Sequence, residues 1–399
     1  GGGGGGGPPS TPRELAFLLS SLELRAATMD DLLVGRTLGV GSFGRVKLAT
    51  HRASGRVLAL KILRKAALVE TKQVRSIARE RDIAASLRHP CVARLYGTLQ
   101  DPHRLYMMWE LVAGGELYRR IHGPAGAGAA GDLVGAGPLD FGPLDADAAR
   151  FYVAQVAEVF EYVHSRGIVY RDLKPENLLI NARGYLKVVD WGFAKQIGAT
   201  STASAADAGV ACQLPGGGGG GSSAQGRTMT QCGTPEYMAP ELVVGKGHGV
   251  EVDWWALGVN CFEMVVGYTS FVGDDVEDHL EISKRILEGR VDWPENVQVD
   301  ASMRALILSF LAQRPSERLG CRGVAEIAQH PVYQAGSASA GDGRAAFDWA
   351  AMRALELPAP WVPELPGGAT DVSHFDDIYD DDQDDEPDGD YDGSAVFDF

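Results

Sequence analysis

The chain has 399 residues, 45% of them hydrophobic, enough for one large or two ordinary domains with a sizeable core. Its formal charge of −16 is unevenly placed: 13 of its 53 acidic residues lie between Asp371 and Phe399, where there is no Lys or Arg, leaving 40 acids against 37 basic residues elsewhere. That balance argues against a nucleic acid partner, and no apolar run approaches the roughly 18 residues of a membrane span. The five cysteines form no C-x-x-C pair and suggest reduced thiols in an intracellular, cytoplasmic protein. The first residue is Gly1 rather than Met, so the chain reads as a fragment or processed product whose targeting signals are not legible.

Residues 1–31 read as a flexible Gly/Pro-rich segment ending in an amphipathic helix over Glu14–Ala27. From Leu32 the pattern turns to strands. Gly39 to Val46 spell G-x-G-x-x-G-x-V (Gly39, Val40, Gly41, Ser42, Phe43, Gly44, Arg45, Val46). A dinucleotide-binding turn shares this string but opens a helix. Here Val46-Lys47-Leu48-Ala49 continues as a strand, so the glycines sit in a hairpin whose backbone N–H groups can fold over phosphates. Lys61 lies inside an apolar strand, where an ammonium needs an anion. Glu80, in the helical stretch Lys72–Leu87, is the carboxylate expected to meet it. Leu105–Val112 reads as a buried strand leaving into a connector, and Asp145–Ser165 as a helix. Between them Gly123–Gly142 is a Gly/Ala-rich insert without a period.

The chemistry concentrates between Tyr170 and Gly192. Two short strands, Leu178–Ile180 and Leu186–Val189, are joined by a turn at Asn181–Gly184 and bring Asn177 and Asp190 to one mouth. Asp172 is placed to orient a hydroxyl and accept its proton. Lys174 is placed to meet charge on a transferred group, and Asn177 and Asp190 to offer oxygens to Mg²⁺. That set suits phosphoryl transfer.

The string Asp172-Leu173-Lys174-Pro175-Glu176-Asn177, followed by Asp190-Trp191-Gly192, resembles the catalytic loop and metal-binding triplet of AGC-group serine/threonine protein kinases. Tyr170 stands where histidine is more common, and Trp191 where phenylalanine is. Arg227–Tyr237 and Ala239-Pro240-Glu241 resemble the activation segment of cyclic nucleotide-dependent kinases, interrupted by a second insert at about 198–226. The C-terminal stretch from Phe347-Asp348-Trp349 through Asp371-Val372-Ser373-His374-Phe375-Asp376 to Phe399 is most similar to cyclic GMP-dependent protein kinase.

The resemblance implies an α+β, bilobal kinase fold over residues 32–333. It has a small antiparallel β lobe with one key helix, a large mainly helical lobe, and a C-terminal extension over 334–399. It implies ATP and Mg²⁺ as cofactors, held between the lobes. Leu38, Gly39, Val40, Gly41, Ser42, Phe43, Gly44, Val46, Ala59, Lys61, Glu110, Val112, Glu116 and Phe375 are the expected nucleotide neighbours, with Trp109 closing the back of the adenine pocket. Glu116, Glu176, Glu263 and Thr234 are expected to meet a protein substrate, the three glutamates as an acidic cleft rim that favours Arg/Lys-rich targets. Thr230 is the expected phosphorylation site, modified by an upstream kinase or by the chain itself and read by Arg171 and Lys195. Glu241 and Arg318 are expected to form a structural ion pair, and Asp253 to hold the catalytic-loop backbone. No segment matches a cyclic-nucleotide-binding domain, so a regulatory region of that kind is expected outside this chain. A cyclic AMP-dependent type of catalytic subunit is the nearest alternative. A nucleotide-binding pseudokinase scaffold, suggested by Trp109, Trp191 and the long insert, is the alternative from another class.

Overall fold

The computed structural model describes residues 24, 26–41, 43–123, 141–197, 228, 233–272, 279–295, 297–334, 345–376, 378, 397 and 399. The chain divides into two compact units. The first takes residues up to Ser86, Ala93–Leu111 and the chain from Pro366; the second takes Leu87–Val92 and Val112–Leu365. Ser42, Thr230, most of the expected helix at 14–27 and both Gly-rich inserts lie wholly or mostly outside the described residues.

The first unit is built on an antiparallel sheet. Its strands are β1 (Leu32–Gly41), β2 (Gly44–His51), β3 (Val57–Arg64), β4 (Leu95–Gln100) and β5 (Arg104–Glu110), in the order β1-β2-β3-β5-β4. Two helices, α1 (Lys65–Glu70) and α2 (Val74–Ser86), lie between β3 and β4 in sequence. Strand alternation assigns the faces of β3. Leu58 and Leu60 enter an apolar cluster with Leu24, Leu32, Ala49, Tyr106 and Met108. Ala59 and Lys61 take the opposite face, in register with Trp109 and Met107 of β5. The β1–β2 hairpin requires one glycine for packing. A Cβ on Gly44 would fall 1.8 Å from the Ile62 carbonyl oxygen, whereas one on Gly39 would meet nothing within 4 Å. In α2, Ile77, Glu80, Ile83 and Ala84 are buried at helical spacing, so Glu80 belongs to the face that packs inward.

The chain end returns to this unit. Arg36 Nη2 donates to the Asp376 carbonyl at 2.9 Å and Gln100 Nε2 to the Phe397 carbonyl at 3.3 Å. Lys65 lies 5.2 Å from the Phe397 ring centroid and Arg81 5.4 Å from that of Phe399. Both are cation–π contacts with the chain's last aromatics.

The second unit is mainly helical. Its helices are α3 (Leu117–His122), α4 (Ala146–His164), α5 (Pro240–Val243), α6 (Glu251–Val266), α7 (His279–Glu288), α8 (Ala301–Phe310), α9 (Val324–Ala328) and α10 (Trp349–Arg353). Two small antiparallel pairs accompany them: β6 (Ile168–Val169) with β9 (Lys195–Gln196), and β7 (Leu178–Ile180) with β8 (Leu186–Val188). Asp145 and Asp300 cap α4 and α8, each accepting from a backbone N–H of the first turn at 2.8 Å. Helix α6 is buried all round: every residue from Val252 to Val266 is enclosed, Asp253, Asn260 and Glu263 among them.

The segment after Tyr333 is shared between the units rather than forming a separate piece. Its first part packs on the second unit. Arg353 pairs with Glu158 at 2.7 Å, Arg183 donates to the Leu355 carbonyl, and Tyr185 donates to the Leu357 carbonyl. Gly184, at φ +80°, lies so close to this segment that a Cβ would sit 2.1 Å from the Trp361 carbonyl oxygen.

Glu241 and Arg318 meet as a buried bidentate pair, Nη1–Oε1 2.9 Å and Nη2–Oε2 3.2 Å. Arg318 also donates to the carbonyls of Glu251 and Ala312 and lies over the Trp255 ring. Removing the guanidinium strands a buried carboxylate, a loss on the order of 3–5 kcal/mol. Arg318→Leu is therefore expected to lower the midpoint of thermal unfolding sharply. Arg318→Lys should recover part of the loss, since one ammonium cannot fork two oxygens. Unfolding midpoints equal to the parent's in both variants would remove this role.

Candidate active site

The second unit holds the catalytic loop by its backbone. Asp253, on α6 and fully buried, accepts from Tyr170 N at 2.9 Å, Arg171 N at 2.8 Å and the His164 imidazole at 2.7 Å. Asn260, two turns further along α6, donates to the Leu173 carbonyl at 3.1 Å. The loop these groups hold is bent: Arg171 adopts φ +70°, a left-handed conformation that costs a non-glycine residue roughly 1–3 kcal/mol. Arg171 then donates through Nε and Nη2 to the Phe193 carbonyl, joining the loop to the segment after Asp190.

On that loop the expected residues converge. Asn177 Nδ2 donates to both the carbonyl and the Oδ2 of Asp172, at 2.8 and 2.9 Å. Lys174 Nζ lies 3.6 Å from Asp172 Oδ2 and 3.4 Å from Thr234 Oγ1. The β7–β8 register pairs Leu178 with Val188, and Val189 N donates to the Asn177 carbonyl, so Asn177 and Asp190 do leave one end of the hairpin together. Asp190 is exposed at φ +52°, with Oδ1 accepting from Gly192 N at 3.1 Å. Trp191 behind it is fully buried, edge-on to Tyr170 with ring centroids 4.9 Å apart. The Tyr170 hydroxyl donates to the Val189 carbonyl at 2.6 Å. The larger ring at the phenylalanine position is thus accommodated within the apolar interior.

Burial pushes the Asp172 carboxyl up to about 6, and the nearby Asp190 charge adds to it; Lys174 and the Asn177 hydrogen bond oppose the rise. A carboxylate so tuned is a stronger base than an ordinary aspartate.

The first unit carries its own pair. Lys61 Nζ donates to Glu80 Oε1 at 2.6 Å, with the Lys61 side chain 24% and the Glu80 side chain 4% exposed. Lys61 thus keeps an accessible flank. Leu38, Gly39, Val40, Gly41, Phe43, Gly44 and Val46 follow one another along the β1–β2 hairpin, and Ala59 shares the Lys61 face. Trp109, opposite Ala59, is buried. Glu110 Oε2 accepts from Arg94 N, and Phe375 is half-buried beside the Arg36 anchor at Asp376. Val112 is buried and Glu116 half-buried, both in the second unit.

Glu263 departs from the expectation of an open rim. It is only 2% exposed, its Oε2 accepting from the Tyr237 hydroxyl at 2.6 Å and its Oε1 lying 2.9 Å from His122 Nε2. Helix α6 is buried on every side, and a carboxylate on it has to find partners within the fold. Glu176 is half-buried, and its Oε2 is buried with no hydrogen-bond partner among the described residues. Its carboxyl is raised, first by burial. His122 and Tyr237 had no assigned role in the sequence reading. Nothing in the linear order connects positions 122 and 263, and their link appears only in three dimensions.

A protein kinase domain model matches residues 32–333. The chain belongs to the protein kinase family. Among its relatives are the cAMP-dependent protein kinase catalytic subunit of Arthrobotrys oligospora, 35% identical over 88% of this chain and 56% of that protein, and cGMP-dependent protein kinase isozyme 2, forms cD5/T2, of Drosophila melanogaster, 36% identical over 89% of this chain and 32% of that protein. Human cGMP-dependent protein kinase 2 is 34% identical over 88% of this chain and 39% of its own length. The kinase chain therefore spans between about a third and a little over half of the length of these relatives. Protein kinases use ATP with Mg²⁺. The donors here fit the metal. Asn177 Nδ2 is committed to Asp172, leaving Oδ1 as its ligating atom, and Asp190 presents an exposed carboxylate. A pair of hard oxygens, completed by phosphate and water, is what Mg²⁺ accepts. The hairpin fits phosphates too, because neither packing nor backbone conformation demands glycine at Gly39 or Gly41.

The raised Asp172 carboxyl carries a stability consequence. Between the ordinary aspartate value near 3.8 and about 6, the unfolded chain is ionised while the folded one holds a proton. Above that window, ionisation costs the folded state, by on the order of 3 kcal/mol for a two-unit shift. Asp172→Asn is expected to raise the unfolding midpoint at pH 7.5, with the gain disappearing below about pH 4. An equal or lower midpoint at pH 7.5 would count against a net cost of ionising this buried carboxylate.

Proposed function

We propose that this chain is the catalytic region of a serine/threonine kinase that transfers the γ-phosphoryl group of ATP to hydroxyls in basic protein substrates. The observation that carries the reading is the Asp172 carboxylate, tied to Asn177, flanked by Lys174 and raised towards neutrality. When bound, Mg²⁺-ATP supplies the phosphoryl group and neutralises charge between its phosphates. Asp172 orients the substrate hydroxyl and takes its proton. Lys174, between Asp172 and Thr234, faces the charge that develops on the transferred group. Asn177 and Asp190 would hold the metal. Lys61, oriented by Glu80, would meet the nucleotide phosphates.

The substrate reading rests on acids gathered close together. The Glu263 charge helps to raise the Glu176 carboxyl, and among the described residues the buried Glu176 Oε2 has no donor. A guanidinium fits that need better than an ammonium, because it forks two acceptors. Glu116 and Thr234 complete the proposed substrate contacts. Activation is assigned to phosphorylation of Thr230, by another kinase or by the chain itself. In support, the neighbouring Thr228 hydroxyl already receives Lys195 Nζ at 2.6 Å, and Arg171 lies on the catalytic loop. Within the kinase family we assign the chain to the cyclic GMP-dependent type, on its acidic C-terminal run and the Lys246–Gly249 string. The cyclic AMP-dependent type is the second reading, favoured by the comparable similarity to relatives of that name.

The test is phosphate transfer from labelled ATP with Mg²⁺ to an Arg-Arg-x-Ser peptide, using chain phosphorylated at Thr230. Transfer is expected, with kcat/KM falling on the acid side as pH drops through about 6. Asp190→Ala should remove it by about 10²-fold or more while leaving the fold intact by circular dichroism. Nucleotide binding without transfer would instead favour the pseudokinase scaffold.

A further inference from the structure

The Glu263 carboxylate is held from two sides that differ in kind. Tyr237 gives a hydroxyl from inside the fold and is itself buried. Its phenol is pushed far above the ordinary tyrosine range, first by burial and then by Glu263, so that contact is permanent. His122 gives an imidazole from the outside: its side chain is 24% exposed and that of Glu263 3%. The ring is therefore the solvent-side cover of a buried acid. Its position is fixed by the end of α3. Gly123 follows at φ +84°, where a Cβ would fall 2.7 Å from the Phe141 ring, and Tyr118 lies one turn back with ring centroids 4.3 Å apart.

We propose that His122 is a positioning residue for substrate recognition, and that its contact with Glu263 makes the preference for a second basic side chain sensitive to protonation. The proposal rests on Glu263 being a receptor for substrate cations. With a neutral ring, the Nε2–H donates to Oε1 and the carboxylate keeps its full charge for an incoming guanidinium. With a protonated ring, the pair is already neutral and the field on the substrate weakens.

The charged and titratable groups around the ring reinforce this coupling. Glu263 comes from α6, and Glu176 from the Pro175–Asn177 turn that packs on α3; the charge of His122 acts directly on Glu176. Tyr118 is on the ring's own helix and feels Glu176, Glu263, Glu116 and Glu236. Lys174 acts on Glu176 from the catalytic loop. Arg120, on α3, is turned to the Gly142 carbonyl, and Arg119 shares that helix. A proton on His122 thus changes the sign balance of a predominantly acidic subsite.

The test compares two peptides, one with a single arginine and one with two, as the ratio of their KM values at pH 6 and pH 8. Titration of Asp172 affects both peptides and cancels in the ratio. For the parent, preference for the two-arginine peptide should weaken by about three- to fivefold at the lower pH. His122→Gln keeps a neutral N–H donor and should hold the preference constant across that range. His122→Ala, which leaves Oε1 without its cover, should reduce the preference at both pH values. A parent ratio that does not move with pH, or one that moves equally in His122→Gln, overturns the inference. Glu263→Gln separates the two layers. If that variant keeps the full preference, Glu263 is not the receptor and the basic-substrate reading fails at this residue. If it loses the preference while His122→Gln still follows pH, only the role of His122 fails.

Discussion

One buried carboxylate sets the geometry of the catalytic loop. Asp253 has no solvent to satisfy it, so its two oxygens must be used by the fold. They are taken by two successive backbone N–H groups, Tyr170 and Arg171, and by the His164 ring. Charge-assisted bonds of this kind are about twice as strong as neutral ones. They offset the left-handed bend at Arg171 that turns Asp172 towards Asn177 and Lys174. The basicity of Asp172 follows from the same arrangement, because the bend that positions the residue also takes it out of water.

The two units treat charge in parallel ways. In the first, an ammonium on a sheet is met by a carboxylate on the buried face of a helix. In the second, Glu241 meets Arg318 and Glu263 meets Tyr237 and His122. Each is an acid in a place where acids are costly, and each has a partner close by. The pairs differ in access. Arg318 is sealed and serves the fold, while Lys61 and His122 keep one flank towards solvent. That difference in exposure, rather than residue type, distinguishes the pair we assign to the fold from those we assign to function.

Much of this was legible in the sequence, because the chemistry is written in local strings. The hairpin of glycines, Lys61 in its strand, the pairing of Leu178–Ile180 with Leu186–Val188, and the Asp172–Asn177 spacing are short-range patterns that strand alternation and turn signals resolve. Glu80 was legible in identity, and its burial follows from the helical spacing of Ile77 and Ile83. What was not legible depends on contacts distant in sequence. Glu263 was read as one of three glutamates on an open cleft rim, and its enclosure shows only in the all-round burial of α6. His122 ends a six-residue helix beside a low-complexity insert and offers no local signal. The division of the C-terminal segment between two units was likewise hidden, since proline-rich sequence carries little period to read.

The glycine at position 184 has a bearing on how the molecule can be cut. The family match ends at residue 333, yet the turn containing Gly184 is roofed by the carbonyl of Trp361, and the hydroxyl of Tyr185 is satisfied by Leu357. The polypeptide beyond the match is thus part of the floor on which the β7–β8 hairpin rests. The limit of the domain match is thus not the limit of the folding unit, and a chain ended there would bare surface that glycine was chosen to let another strand of backbone touch.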